Sequence, residues 1–247
     1  MWLGGNAFYT LMFAITLFTM WEVHTIMQKA GASDYFPVSL IFAFLIWRGT
    51  ALPDWLIVAA VSAIILITIW AIVDRTRESA SRWLSTLLTG VYAPVGFLMV
   101  VQIRDLGTGI EGFWLTLTLF LMIWGNDVFA YFGGKNFGKR KLAPNISPNK
   151  TWEGFWSGFI GAAVGFTIAW ALAASYPLPF WSVIGAVVIV SIMGPIGDIL
   201  ESRLKRTAGV KDSSSLLPGH GGFFDRFDST IMAAPFLWFY SSLFVVF

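Results

Sequence analysis

The chain contains no cysteine, only two histidines and very little charge. Without cysteine there is no disulfide, no thiolate nucleophile and no Cys-ligated zinc or iron–sulfur centre. Charged residues make up 12% of the 247 positions, against roughly 25% in a soluble domain. That is too little charge to cover a water-facing surface. Hydrophobic residues reach 57% and the mean hydropathy is +0.72, so the protein is integral to a membrane. The 16 basic and 14 acidic residues nearly balance, which is not the composition of a nucleic-acid binder. Internal repeats, low-complexity tracts and a separate soluble domain are also missing. Residues 1–247 read as one transmembrane domain, with scaffold helices over 1–110 and the chemistry-bearing helices and loops over 111–247. The first apolar run lacks a basic flank and a small-residue cleavage site and is too long for a signal-peptide core. It reads as a retained span.

About 20 apolar residues cross a bilayer, and on that scale the sequence predicts an all-α, polytopic protein of about eight segments. They cover 5–28, 36–49, 53–73, 83–103, 112–134, 152–175, 179–203 and 224–247. The second is short and Pro53 separates it from the third. With the 135–151 loop in the cytoplasm, alternation places 14 of the 16 Lys and Arg residues on that side, and only Arg48 and Arg104 opposite. This is the positive-inside pattern, and it puts the polar segments on the cytoplasmic face. Tryptophans near segment ends, such as Trp47, Trp55, Trp83, Trp152 and Trp181, read as interfacial anchors. The small residues of GFIGAAVG (158–165) suit close helix packing. Glu22 lies in the first span, where a carboxylate needs a partner; capping or pairing with a base is the expected role. His24 reads as interfacial.

Three stretches break the apolar pattern. Asp127 sits near the end of the fifth segment with Tyr131 one turn later on the same face. A Gly-, Pro- and Lys-containing loop follows, then Ser147-Pro-Asn-Lys150-Thr151-Trp-Glu153-Gly. Thr151 or Asn149 is a plausible N-cap there, with Glu153 in the first turn. A helix N-terminus flanked by Lys150 and Ser147 suits phosphate. The seventh segment ends GPIGDILESRLKR, with Asp198 and Glu201 on one face, Ser202 a turn from Asp198 and Lys205 a turn from Glu201. Pro195 is expected to kink it. The eighth opens FFDRFDS, with Asp225 and Asp228 three apart. Asp198, Glu201, Asp212, Asp225 and Asp228 are candidate ligands for a hard cation, and Lys205, Arg206, Lys211 and Arg226 for phosphate. His220, between glycines, suits either general acid–base work or a hydrogen bond to backbone.

The run SRLKR, four residues, then KDSSSLLPGHGGFFDRFD (202–228) resembles the signature of the phosphatidate cytidylyltransferases, also called CDP-diacylglycerol synthases. The stretch from Asp127 through Gly154 and the pattern Gly197-Asp198…Glu201-Ser202 are similar to the same family. The resemblance covers the C-terminal half well; the N-terminal half is similar mainly in hydropathy and in Glu22. It implies that phosphatidic acid and CTP give CDP-diacylglycerol and pyrophosphate with Mg²⁺, in a homodimer within a bacterial cytoplasmic membrane. It also implies a polar cavity open to the cytoplasm and to lipid. Asp198 and Asp225 match the family's metal-binding acids. Asp127, Lys150, Lys205, Arg206, Lys211, Asp212, His220, Arg226 and Asp228 match other polar positions.

Such a reaction uses the lipid phosphate as nucleophile, so no Ser–His apparatus is required. The protein must hold two anions and stabilise a pyrophosphate leaving group. On that chemistry Ser147, Lys150, Thr151, Ser202, Lys205, Arg206 and Lys211 are expected at the substrates. Arg226 steadies the second anion beside Lys150, and Asp212 and Asp228 are outer-shell or second-metal groups. A second, monovalent cation is compatible with this set. Family members usually begin with one more hydrophobic helix, and this chain starts at what resembles the second. A rival reading keeps CTP and changes the lipid phosphate or alcohol. A transporter would place its charges at mid-membrane in paired repeats, unlike this pattern.

Overall fold

The computed structural model describes residues 5–48, 77–219 and 221–245. Helix α1 (Gly5–Lys29) is followed by α2 (Phe36–Arg48) and, further on, α3 (Arg77–Leu87). A π-turn (Leu88–Tyr92) joins α3 to α4 (Ala93–Arg104). Then come α5 (Gly109–Phe137), strands β1 (Lys141–Ala143) and β2 (Ser147–Thr151), α6 (Trp152–Leu172), a 3₁₀ turn (Phe180–Ser182), α7 (Val183–Thr207) and α8 (Phe223–Ser242). Among the described residues, five helical stretches are long and apolar enough to cross a membrane: Gly5–Lys29, Ser81–Arg104, Gly109–Phe137, Trp152–Leu172 and Phe180–Thr207. The expected segments correspond to these, to the shorter α2 and to α8. The segment at 53–73 lies outside the described residues.

Local chemistry sets the helix boundaries. Thr108 and Glu111 form a capping box at the start of α5, with the Thr108 N–H donating to Glu111 Oε2 at 2.6 Å. Thr151 caps α6, its Oγ1 accepting from the Gly154 N–H at 3.1 Å. Of the two expected caps, Thr151 is therefore the one used. Pro94 has no N–H to offer the Gly90 carbonyl one turn back, and the π-turn falls where that bond is lost. Helix α7 runs through Pro195 without interruption.

The stretch between α5 and α6 departs from an all-helical reading. It folds as a small antiparallel hairpin pairing Lys141 with Thr151 and Ala143 with Ser147. Its base is closed by the Trp152 N–H donating to the Arg140 carbonyl at 3.0 Å. Glu153 accepts from the Lys139 and Arg140 N–H groups at 3.0 and 3.2 Å. The loop is thus pinned to the first turn of α6 rather than left as a tether.

The core runs along α4, whose Ala93, Phe97, Val100 and Val101 are buried against α1, α5 and α8. Phe97 packs edge-on against Phe227 of α8, ring centres 5.4 Å apart. Helices α5 and α6 are drawn together along a seam of small residues. A Cβ on Gly125 would run into the Gly161 backbone, and one on Gly165 into that of Leu121. Lipid chains are as apolar as leucine, so close van der Waals contact, not exclusion from water, holds this pair. Large apolar side chains such as Trp124, Phe129, Trp156 and Ile160 point outward.

Uncharged contacts close one end of the bundle. Tyr9 donates to the Trp47 carbonyl at 2.9 Å, Thr118 and Tyr176 hydroxyls meet at 2.6 Å, and Tyr240 donates to the Ser182 carbonyl at 3.0 Å. At the opposite end the polar segments gather. There Glu22 is fully buried and accepts from Ser213 Oγ, Ser214 Oγ and the N–H groups of Phe223 and Phe224 at 2.6–3.1 Å. Glu22 therefore caps, as expected of it, but the helix it caps is α8. His24 pairs with buried Asp34, fixing α1 to the start of α2.

Gly161→Leu should force α5 and α6 apart. Overpacking of this kind costs about 1–3 kcal/mol, so the unfolding temperature in detergent should fall clearly. Ile160→Ala, on the outward face, should stay close to wild type in the same measurement.

Candidate active site

A cavity of about 620 Å³ opens where the C-terminal half of α5, the hairpin, the start of α6 and α7 meet. Helix α5 contributes Asn126, Asp127, Ala130, Tyr131, Gly134 and Lys135. The hairpin adds Leu142, Ser147, Asn149, Lys150 and Thr151; α6 adds Gly154 and Phe155; α7 adds Pro195 and Asp198. The shared face expected of Asp127 and Tyr131 is one wall of this space. The hairpin forms the facing wall, and its Lys150 Nζ reaches Asp198 Oδ2 at 2.5 Å. Both partners are partly exposed, so this ion pair is open to ligands entering the cavity.

Deeper in, oxygens of Asp198, Glu201 and Asp228 lie within 4.8 Å of one another. The first two share a face of α7. Asp228 joins them because α7 and α8 approach closely at Gly197, where a Cβ would strike the Asp228 backbone. Ser202 Oγ donates to Asp198 Oδ1 at 3.2 Å, and the Ser229 N–H to Asp228 Oδ1 at 2.5 Å. Asp127 lies close enough to Asp198, Asp228 and Lys150 for their charges to act on one another. Carboxylates packed this closely repel unless a cation neutralises them. Their oxygens are a hard donor set, and the arrangement fits Mg²⁺ shared with phosphate oxygens.

Lys205 ties this trio to α8. Its Nζ lies 2.6 Å from Glu201 Oε1 and 2.6 Å from Asp225 Oδ1, and all three side chains are largely buried. Asp225 Oδ2 accepts from the Ser213 N–H, the Ser213 hydroxyl and the Gly222 N–H at 2.9, 2.8 and 2.7 Å. Of the two expected metal acids, Asp198 is in the trio. Asp225 stands beside it, folded back to cap the first turn of α8, and Asp228 one turn on faces Asp198 instead. Arg206, Lys211, Asp212 and Arg226 are exposed along the end of α7, the following loop and the start of α8, and none lines the cavity. His220 lies outside the described residues.

Sequence reasoning passed over Asn126 and Ser213. Asn126 is buried and lines the cavity beside Asp127; a second polar side chain next to Asp127 in an apolar run was the available signal. Ser213 is one of three consecutive serines, and no local pattern distinguishes it from its neighbours.

The cytidylyltransferase family matches residues 1–244. The chain belongs to that family. It is 40% identical over 189 residues to a phosphatidate cytidylyltransferase of Bacillus subtilis, covering 76% of this chain and 68% of the relative. To the protein of that name from Staphylococcus aureus it is 35% identical over 168 residues, covering 68% of this chain and 62% of the relative. To the one from Brucella abortus it is 33% identical over 249 residues, covering 98% and 87%.

Lys205→Met should leave Glu201 and Asp225 buried without their shared cation. Breaking a buried pair costs roughly 3–5 kcal/mol, and thermal unfolding in detergent should register a loss of that order. Lys150→Met, at the open ion pair, should cost far less by the same measurement.

Proposed function

We propose that this cytidylyltransferase joins CTP to phosphatidate, giving CDP-diacylglycerol and pyrophosphate for phospholipid synthesis. The observation that carries the reading is the meeting of Asp198, Glu201 and Asp228, the first of which lines a lysine-bearing cavity, at one end of a membrane bundle. The names of the relatives point to the same substrates. A phosphate oxygen of phosphatidate forms the new bond to the α-phosphorus of CTP. The bond from that phosphorus to the bridging oxygen breaks, and pyrophosphate leaves with the electron pair.

Positioning and charge neutralisation are the work this asks of the protein. Lys150, with Ser147 and Thr151, would hold one phosphate in the cavity; Arg226, exposed at the start of α8 and outside the cavity wall, would steady that anion only where it extends beyond the cavity. Ser202, Lys205, Arg206 and Lys211 serve the other from the end of α7 and its loop. Asp198 would hold Mg²⁺ together with Glu201 and Asp228 and with Asp225 alongside; when bound, the ion neutralises charge on the triphosphate. Asp127 and Asp212 act from outside that set, where a monovalent cation is a further candidate. His220, from its place between glycines in the sequence alone, is kept as a candidate general acid or base. Because the basic residues flank the site's end of the bundle, that end belongs in the cytoplasm of a bacterial cell. Residues 1–247 act as one transmembrane domain, which we assign to a homodimer, and no nucleic-acid polymer takes part.

Purified chain in detergent with radiolabelled CTP, phosphatidate and Mg²⁺ should release CDP-lipid and pyrophosphate in equal amounts. Asp198→Asn and Asp228→Asn should each lose about 100-fold or more in rate. Full activity of Asp198→Asn at limiting Mg²⁺ would remove the metal assignment. Turnover with a different lipid phosphate or alcohol, and none with phosphatidate, would move the assignment to that lipid.

A further inference from the structure

Glu22 belongs to α1, far in sequence from every residue assigned to the reaction, yet its carboxylate is buried against the segment that carries the acids of α8. Ser213 and Ser214 hydroxyls reach Glu22 Oε2 and Oε1 at 3.1 and 2.6 Å. The N–H groups of Phe223 and Phe224, the first two residues of α8, reach the same two oxygens at 3.0 and 2.7 Å. Ser213 also holds Asp225, through its N–H and through a hydroxyl whose single proton lies between two carboxylates. From Asp225 the contacts continue to Lys205 and on to Glu201. Close packing makes the same point independently of the hydrogen bonds: a Cβ on Gly222 would fall on Glu22 Oε1 and on Ser213 Oγ. Glu22 therefore touches the turn that aims α8, and every link from it to the acidic trio is a hydrogen bond or ion pair.

We infer that Glu22 is a positioning residue for the acidic centre, acting through Ser213 and the first turn of α8 to set where Asp225 and Asp228 stand. The inference builds on the cytidylyltransferase reading of that centre. It assigns work to the N-terminal helix that the apolar character of α1 does not suggest. A carboxylate is needed because all four of its partners are donors; an amide turns one donor group of its own toward them. Groups that orient metal-binding side chains from outside typically change affinity or activity by about 10–100-fold.

The test uses the full chain in detergent without nucleotide or lipid, and Mn²⁺ binding followed by electron paramagnetic resonance. Turnover kinetics are measured alongside. Glu22→Gln and Ser213→Ala should weaken Mn²⁺ binding about 10-fold and lower kcat with little change in KM for CTP. Ser213→Ala keeps Glu22 and its three other donors, so it reports on the link even where Glu22→Gln fails to fold. Ser214→Ala removes a bond to Glu22 that does not lead to Asp225, and should bind Mn²⁺ as wild type does. Unchanged Mn²⁺ affinity in Ser213→Ala, or an equal loss in Ser214→Ala, overturns the positioning role and leaves the site assignment standing. Wild type that binds no Mn²⁺ overturns the metal site itself, and the inference with it.

Discussion

A carboxylate drawn out of water costs several kcal/mol unless donors or cations replace its hydration, and this protein draws a group of them toward one end of an apolar bundle. The arrangement of that end follows from how each is matched. Glu22 takes four neutral donors from the segment before α8 and from its first residues. Asp225 divides itself between Lys205 and the donors of Ser213 and Gly222. Glu201 shares Lys205, and Asp198 meets Lys150 from the hairpin. What is left over, around Asp127 and Asp198 in the cavity wall and Asp228 close to Asp198, is more negative charge than Lys150 alone offsets. That residue of unmatched charge is where a cation and a phosphate have something to gain.

The α5–α6 seam gives this chemistry its rigid wall. Because the two helices touch backbone to backbone at Gly125 and Gly161, neither can slide without separating along its whole length. Asp127 and the Thr151 cap at the mouth of α6 are therefore held in a fixed relation. The hairpin between them inherits that rigidity through Glu153, whose grip on the Lys139 and Arg140 amides leaves the strands little freedom at their base. Lys150 thus reaches across the cavity from a short, supported strand.

Much of this was readable from local pattern. The apolar runs located the helices, Thr151 was a candidate cap, and the spacing of Asp198 and Glu201 put both on one face. Whatever depended on the meeting of distant segments was harder. The hairpin at 141–151 contains Pro144 and Pro148 and reads as a loop; it becomes a pair of strands only when Glu153 closes its base. Asp225 and Asp228 are equivalent by spacing. They part company because the loop before α8 offers donors to the first, while close approach at Gly197 turns the second toward α7. Glu22 announced that it needed partners, but nothing within α1 says they would be Ser213, Ser214 and the start of α8.

The π-turn at Leu88–Tyr92 has a geometric effect that reaches beyond Pro94. One additional residue in a helical turn advances the side-chain phase by about 100°. On the α3 side of it, Thr86 faces α2, where its hydroxyl accepts from the Tyr35 N–H and its carbonyl accepts from Ser39. On the α4 side, Gly96 and Phe97 face α8, packing against Ile231 and Phe227. A single membrane span thereby works as a crankshaft, presenting one bearing surface to the early helices and another, rotated from it, to the helix that carries Asp225 and Asp228. An uninterrupted α-helix through the same residues would have kept the two surfaces in one phase, and could have served one of those partners only by turning away from the other.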